Sequence, residues 1–250
     1  MQHTKRLLLY TISIALLSAC STKYALVKSN REEYNINNSL AVDSTIIKTY
    51  LPYKAELDKE MNQVIGYTDV TLTKSSNLPE SVLGNFFADA VLNQAKRIEP
   101  NIDFAIPTTN GGLRNDIAKG EITVSKVFEL MPFENETVIF TLKGSDVLDV
   151  LKFIASSGGQ PVAGVKMKID NKLPKDIFIG DKAFDVNKNY VVLTSDYIAS
   201  GGDGTTGFSK PIAKKVLGLK VRDALLQEIK QLNANGKRVN TTLDGRIAKN

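Results

Sequence analysis

Two residue types that build catalytic and metal centres are almost missing from this sequence. Its 250 residues hold one histidine, His3, and one cysteine, Cys20, both close to the N-terminus. A zinc site of Cys and His ligands therefore cannot be assembled from residues 21–250, and neither can a Ser-His-Asp or Cys-His catalytic pair. A disulfide framework is excluded by the same count. Two phosphate and metal loops are absent as well: there is no D-x-[DN]-x-[DN]-G stretch and no G-x-x-x-x-G-K-[ST]. An all-carboxylate site for Ca²⁺ or Mg²⁺ stays open in principle. Charge of one sign is also scarce. With 32 Lys and Arg against 27 Asp and Glu the formal charge is +5, and setting aside Lys5 and Arg6, which fall in a targeting segment, leaves about +3, too little to indicate nucleic acid as a partner.

What is present is the composition of a folded globular chain, 42% hydrophobic and 24% charged. Residues 1–20 read as a signal peptide: basic Lys5 and Arg6, an apolar run from Leu7 to Leu17, then Ser18-Ala19-Cys20. The run is shorter than the roughly 20 residues a spanning helix needs. Leu17-Ser18-Ala19-Cys20 resembles a bacterial lipobox, which makes Cys20 the expected lipidation site and places the mature chain outside the cytoplasm on a membrane face. An ordinary secretory signal ending near an unrelated Cys is the alternative. Residues 21–43 are polar and without apolar periodicity, the pattern of a tether.

From residue 44 onward strand and helix signals alternate. A helical element is expected over Ser44–Met61, kinked or broken at Pro52. A β-branched strand follows over 64–72, and a helix opened by Pro79-Glu80-Ser81 buries Leu83, Phe86, Phe87, Ala90, Val91 and Ala95. Short strands are expected over 103–106 and 121–124, then a short helix capped by Ser125 and stopped before Pro132. A strand over 137–142 leads to a helix from Gly144 with Val147, Leu148, Leu151 and Ile154 inward. Strands at 162–169, 177–179 and 190–194 and a helix over 222–232 complete the chain. The fold class is α/β of the α+β type, a mixed sheet with about four covering helices, in a domain over residues 44–250.

Three loops place glycine and polar residues directly after apolar elements, where ligands are bound in such folds. They are TTNGGLR at 108–114, MPFEN at 131–135 and SDYIASGGDG at 195–204. Singly, each also reads as ordinary structure: a plain turn at Gly111-Gly112, a helix stop with a core aromatic at Pro132-Phe133, a tight hairpin at Gly201–Gly204. In order and spacing, together with Glu80-Ser81-Val82-Leu83-Gly84-Asn85-Phe86-Phe87-Ala88-Asp89-Ala90, Gly120-Glu121-Ile122-Thr123, Leu142-Lys143-Gly144, Val162-Ala163-Gly164 and Asp244-Gly245-Arg246-Ile247, they resemble the C-terminal domain of the 5′-nucleotidase and UDP-sugar hydrolase family.

That resemblance implies a nucleoside-recognition domain. Phe133 and Tyr197 would clamp the base, Asn135 and Asn110 would meet its edge, Asp203 would accept from ribose hydroxyls and Arg114 would meet phosphate. The chain departs from the pattern at two places. Pro79 stands where the family usually has arginine, so a phosphate contact is missing or comes from Lys74 or another chain; Thr109 stands where asparagine is expected. The family's catalytic half, a metallophosphatase with several histidines, has no counterpart in residues 21–250. The resemblance thus implies no catalytic residue and no metal or cofactor on this chain, with divalent metals only on a separate metallophosphatase partner. The expected partners are a nucleotide or nucleoside, that metallophosphatase and, through the anchor, a membrane. A nucleotide-binding lipoprotein without chemistry and a scaffold that keeps only the fold are the alternatives.

Overall fold

The computed structural model describes residues 24–37, 39–74 and 77–250. The targeting segment 1–20 with Cys20, and the first residues of the tether, lie outside them. The chain divides into two units, Met1–Thr49 and Tyr50–Asn250. In the first, residues 24–37 and 39–43 are exposed and form neither helix nor strand. Helix α1, Ser44–Met61, runs across the division, continuous through Pro52 and with no buried residue. The expected break at Pro52 does not occur. Among the described residues no helix is long and apolar enough to cross a membrane.

The second unit is a mixed α/β fold. Its elements in order are β1 (Val64–Thr68), α2 (Val82–Ile98), β2 (Phe104–Ile106), β3 (Gly120–Thr123), α3 (Val124–Leu130), β4 (Glu136–Lys143) and α4 (Gly144–Ser156). Then come β5 (Val165–Asp170), β6 (Leu173–Ile179), β7 (Lys182–Ala183), β8 (Asn189–Ser195), α5 (Asp196–Ala199), β9 (Ala213–Lys220), α6 (Val221–Ala234) and β10 (Ile247–Lys249). The described α-helices number six, and α3 and α5 are short, of seven and four residues.

The central sheet has the order β2-β8-β4-β9. β2 runs parallel to β8, and β4 is antiparallel to both β8 and β9. Both faces of this sheet are covered, and the side-chain alternation of a strand divides its residues between two cores. Ala105, Ile139 and Leu193 point to one side, where they join Leu83, Phe87 and Val91 of α2 and Leu225 and Ile229 of α6. Phe104, Ile106, Val138, Phe140 and Val192 point to the other, against Val147, Leu151 and Ile154 of α4 and Val165, Met167 and Ile169 of β5. A second four-stranded sheet, β10-β5-β6-β7, and a two-stranded antiparallel β1-β3 pair complete the strands. Each fully buried Leu, Ile or Phe contributes roughly 1.5–3 kcal/mol, so the two cores anchor every strand that ends at the site.

Helix starts differ by a residue or more from the sequence expectation because side-chain oxygens decide them. Ser81 caps α2 by accepting from the Gly84 N–H at 3.0 Å, which leaves Pro79 and Glu80 before the helix. Thr123 rather than Ser125 caps α3, accepting from Lys126 N–H at 3.4 Å. Strands β9 and β10 carry no clear alternation in sequence: β9 is largely exposed, and β10 has three residues.

Two stretches far apart in the chain are clasped together. Glu80 accepts from the Asn85 amide at 3.1 Å and from the Gly245 N–H at 2.9 Å. Arg246, 8% exposed, grips the Asp89 carboxylate with both terminal nitrogens at 2.7 and 2.9 Å, and also binds Asp244 and the Val162 carbonyl. Burial pulls the Arg246 guanidinium toward losing its proton, and the two aspartates outweigh it, raising its pKa. The two motifs at 80–90 and 244–247 thus lock the C-terminus onto α2.

Candidate functional site

Strand direction brings the three glycine-bearing and polar loops to one edge of the central sheet. Parallel β2 and β8 end side by side, with Ile106 paired to Thr194, and antiparallel β4 begins there, with Thr137 opposite Ser195. The loop leaving β2, the loop leaving β8 and the loop entering β4 therefore meet in a crevice beyond the strand ends, a common ligand position in open α/β sheets. The crevice is a cavity of about 680 Å³ lined by Arg114, Phe133, Asn135, Tyr197 and Asp203, together with Thr108, Gly111, Gly112, Met131, Pro132, Glu134 and Ser195. A cavity of this size is within the range that holds drug-sized ligands.

Five of the six residues singled out from the sequence line this cavity. The sixth, Asn110, is not among the lining residues: its amide donates to the Gly159 carbonyl at 2.9 Å, and its N–H donates to the Gln160 side chain at 2.8 Å. It ties the 108–114 loop to the end of α4. Lys74, considered as a substitute phosphate contact, is used the same way. Its ammonium donates to the carbonyls of Leu113 and Arg114 at 2.9 and 2.8 Å. Gly159, at φ 114°, is where the Pro79 carbonyl lies, so a side chain there would collide with it.

On one wall the Arg114 guanidinium carbon lies 5.1 Å from the centre of the Phe133 ring, a cation–π distance. Phe133 is half-buried against the first core. Its loop is held from behind by Arg222, a residue that sequence reasoning placed only as a helix start. Arg222 is 5% exposed, donates to the Phe133 carbonyl at 3.2 Å and to the Met131 carbonyl at 3.5 Å, and stacks 4.0 Å above the Phe128 ring. It also pairs with Glu134, as does Lys220. Hydrogen bonds from Lys220 and Arg222 hold the Glu134 carboxyl down to about 2.

Tyr197, which also lines the cavity, is 46% exposed, and its hydroxyl donates to Asp203 Oδ1 at 2.8 Å. Thr109 donates to the other carboxylate oxygen, Oδ2. Those two hydroxyls hold Asp203 below the usual carboxylate range, Thr109 foremost. The same contact to Asp203 raises the Tyr197 phenol. Asn135 donates its amide to Asp196 Oδ1 at 3.1 Å, which leaves the side-chain oxygen to accept. Residues 21–250 have no histidine, and among the described residues no group of three or more His, Cys, Asp or Glu is placed to hold a metal ion.

The crevice of this α/β domain thus gathers two aromatic rings, an arginine and a carboxylate held by two hydroxyls. By sequence comparison the chain belongs to the 5′-nucleotidase C-terminal domain family, whose model matches residues 64–210. It is 31% identical over 214 residues to the trifunctional nucleotide phosphoesterase protein YfkN of Bacillus subtilis, covering 78% of this chain and 14% of that one. It is 27% identical over 201 residues to a 5′-nucleotidase of Vibrio vulnificus, covering 77% and 35%. Among solved structures, a 5′-nucleotidase precursor from Thermus thermophilus superposes with a TM-score of 0.70 at 27% identity, over 81% of this chain and 42% of that one. The chain thus spans less than half the length of the relatives it matches.

Proposed function

We propose that this chain is the nucleotide- and nucleoside-recognising half of a split extracytoplasmic 5′-nucleotidase, tethered by lipid on Cys20 through residues 21–43 and completed by a separate metallophosphatase. The observation that supports this most is the convergence of Arg114, Phe133, Asn135, Tyr197 and Asp203 on one cavity. In this reading Phe133 and Tyr197 take the base between two rings, an arrangement tolerant of base identity. Asn135, with its amide anchored on Asp196, offers its oxygen to a base amino group. Asp203 accepts from ribose hydroxyls, and Arg114, exposed and lining the cavity, meets phosphate with its planar fork. Divalent metals belong to the partner, where they would activate water for phosphate ester hydrolysis; this chain's own residues bind and orient.

Calorimetric titration with AMP, adenosine and UMP tests recognition. Binding is expected, and Tyr197→Ala should weaken it by about 1–3 kcal/mol, the range for loss of one base stack. No heat with any of the three would overturn the reading. Isolating the tagged protein from its native envelope and assaying metal-dependent phosphate release from AMP tests the split arrangement. Activity that falls with Tyr197→Ala is expected; binding without any associated activity would instead favour a lipoprotein that captures nucleotides without chemistry.

A further inference from the structure

Asp203 stands in a glycine-rich turn at φ 54°, between Gly201 at φ 90° and Gly204 at φ 76°, and it is exposed at the cavity rim. A short carboxylate in such a place ordinarily samples several rotamers, and fixing one costs entropy. Here each oxygen is held by a different hydroxyl. Tyr197, six residues earlier on the same loop, donates to Oδ1; Thr109, ninety-four residues away on the loop leaving β2, donates to Oδ2. A carboxylate offers about four acceptor sites, so each oxygen keeps one free lone pair. Two free positions side by side on one planar group suit a pair of adjacent hydroxyls.

The ring that carries the Tyr197 hydroxyl is fixed as well. A Cβ on Gly202 would come within about 2.5 Å of its ring carbons, so the ring lies directly on the glycine backbone. One ring face is therefore covered by the turn, and the side chain is still 46% exposed. Stacking surface and carboxylate are thus parts of one braced unit, with a set offset between them.

We infer that the hydroxyls of Tyr197 and Thr109 are positioning groups: together they hold the Asp203 carboxylate in one orientation relative to the Tyr197 ring, so that the share of the affinity that comes from the ribose hydroxyls depends on both. This rests on the nucleoside reading above, in which Asp203 accepts from the ribose hydroxyls, and adds the two groups that orient it. A ligand stacked on Tyr197 meets Asp203 already oriented, so its diol binds without first ordering the carboxylate. Removing either brace leaves the stack intact and frees the acceptor. The same two donors lower the Asp203 pKa and so favour the ionised form, which only accepts.

The experiment is a titration of adenosine and of 2′,3′-dideoxyadenosine into the wild-type protein and into Tyr197→Phe, Thr109→Val and Thr109→Ser. The wild type is expected to bind adenosine more tightly. Tyr197→Phe and Thr109→Val should each narrow the preference for adenosine over dideoxyadenosine about three- to tenfold, the loss of one charge-assisted hydrogen bond at an exposed carboxylate. Thr109→Ser, which keeps the hydroxyl, should restore the preference. Equal losses on both ligands, or no loss on either, with a wild type that binds adenosine, would overturn the coupling alone. A wild type that binds neither ligand would overturn the nucleoside reading and the coupling with it.

Discussion

Replacing Arg222 by methionine should destabilise the domain and loosen the loop that carries Phe133. The guanidinium makes one well-formed bond to the Phe133 carbonyl at 3.2 Å and one at the limit of range to Met131 at 3.5 Å. A bond from a charged donor contributes roughly 1.5–3 kcal/mol, and a desolvated cation–π contact such as that over Phe128 about 2 kcal/mol. The Glu134 pair adds little, because the Glu134 side chain is 59% exposed and surface pairs are worth about 0–1 kcal/mol. Against these stands the burial of a charge whose Nε has no partner among the described residues, a penalty of several kcal/mol that methionine would relieve. Methionine fills much of the same space but cannot satisfy the two carbonyls, so the net expectation is a loss of about 2 kcal/mol. For a domain of this size that is a fall of about 4–8 °C in Tm. Urea unfolding would measure the loss, and faster hydrogen exchange confined at first to residues 131–135 would locate it. A variant as stable as the wild type, or more so, would show that the buried charge costs more than its contacts return, and would refute the positioning role.

Three further outcomes follow from the same geometry. Arg246→Lys keeps a charge but not a fork able to hold Asp89 and Asp244 together, and should cost about 2–3 kcal/mol by urea unfolding; an unchanged midpoint would mean the clasp is passive. Because the Glu134 carboxyl is depressed from 4.5 to about 2, its ion pairs stabilise the fold above pH about 4.5, and that stabilisation is lost as pH falls through about 2. Glu134→Gln should therefore lose less stability than the wild type between those values, and parallel acid curves would contradict the assignment. Gly159→Ala forces a side chain onto the Pro79 carbonyl at a positive φ and should destabilise by about 2–4 kcal/mol in thermal unfolding; a Tm within a degree of wild type would show that the turn yields.

The helix stripes and short apolar strands were legible because burial imposes a period on them: Leu83, Phe86, Phe87, Ala90, Val91 and Ala95 are all buried as their spacing requires. Boundaries were less so. Ser81 and Thr123 cap their helices through hydrogen bonds whose rivals, Pro79 and Ser125, look equally suitable in sequence. Pro52 lies inside a continuous helix. Strand β9 was not expected, because its residues Lys214, Lys215 and Val216 face solvent and their identity is not constrained by a core. In the site, Arg114, Phe133, Asn135, Tyr197 and Asp203 were named from motif order alone, and Asn110 was named with them.

By itself the sequence determined the chemistry on offer: no histidine beyond residue 3, and three loops whose residues suit planar and hydroxylated ligands. It did so because residue type sets what a side chain can donate, accept or stack. Only the tertiary structure decided how those groups are used. The parallel pairing of β2 with β8, and the reversal of β4, bring loops from residues 108, 131 and 195 to one crevice. That closeness turns Asn110 and Lys74 into loop ties, puts Arg222 behind Phe133 and gives Asp203 its two hydroxyl partners. Hydrogen bonds between residues ninety apart depend on a distance that folding alone creates, and no local pattern encodes it.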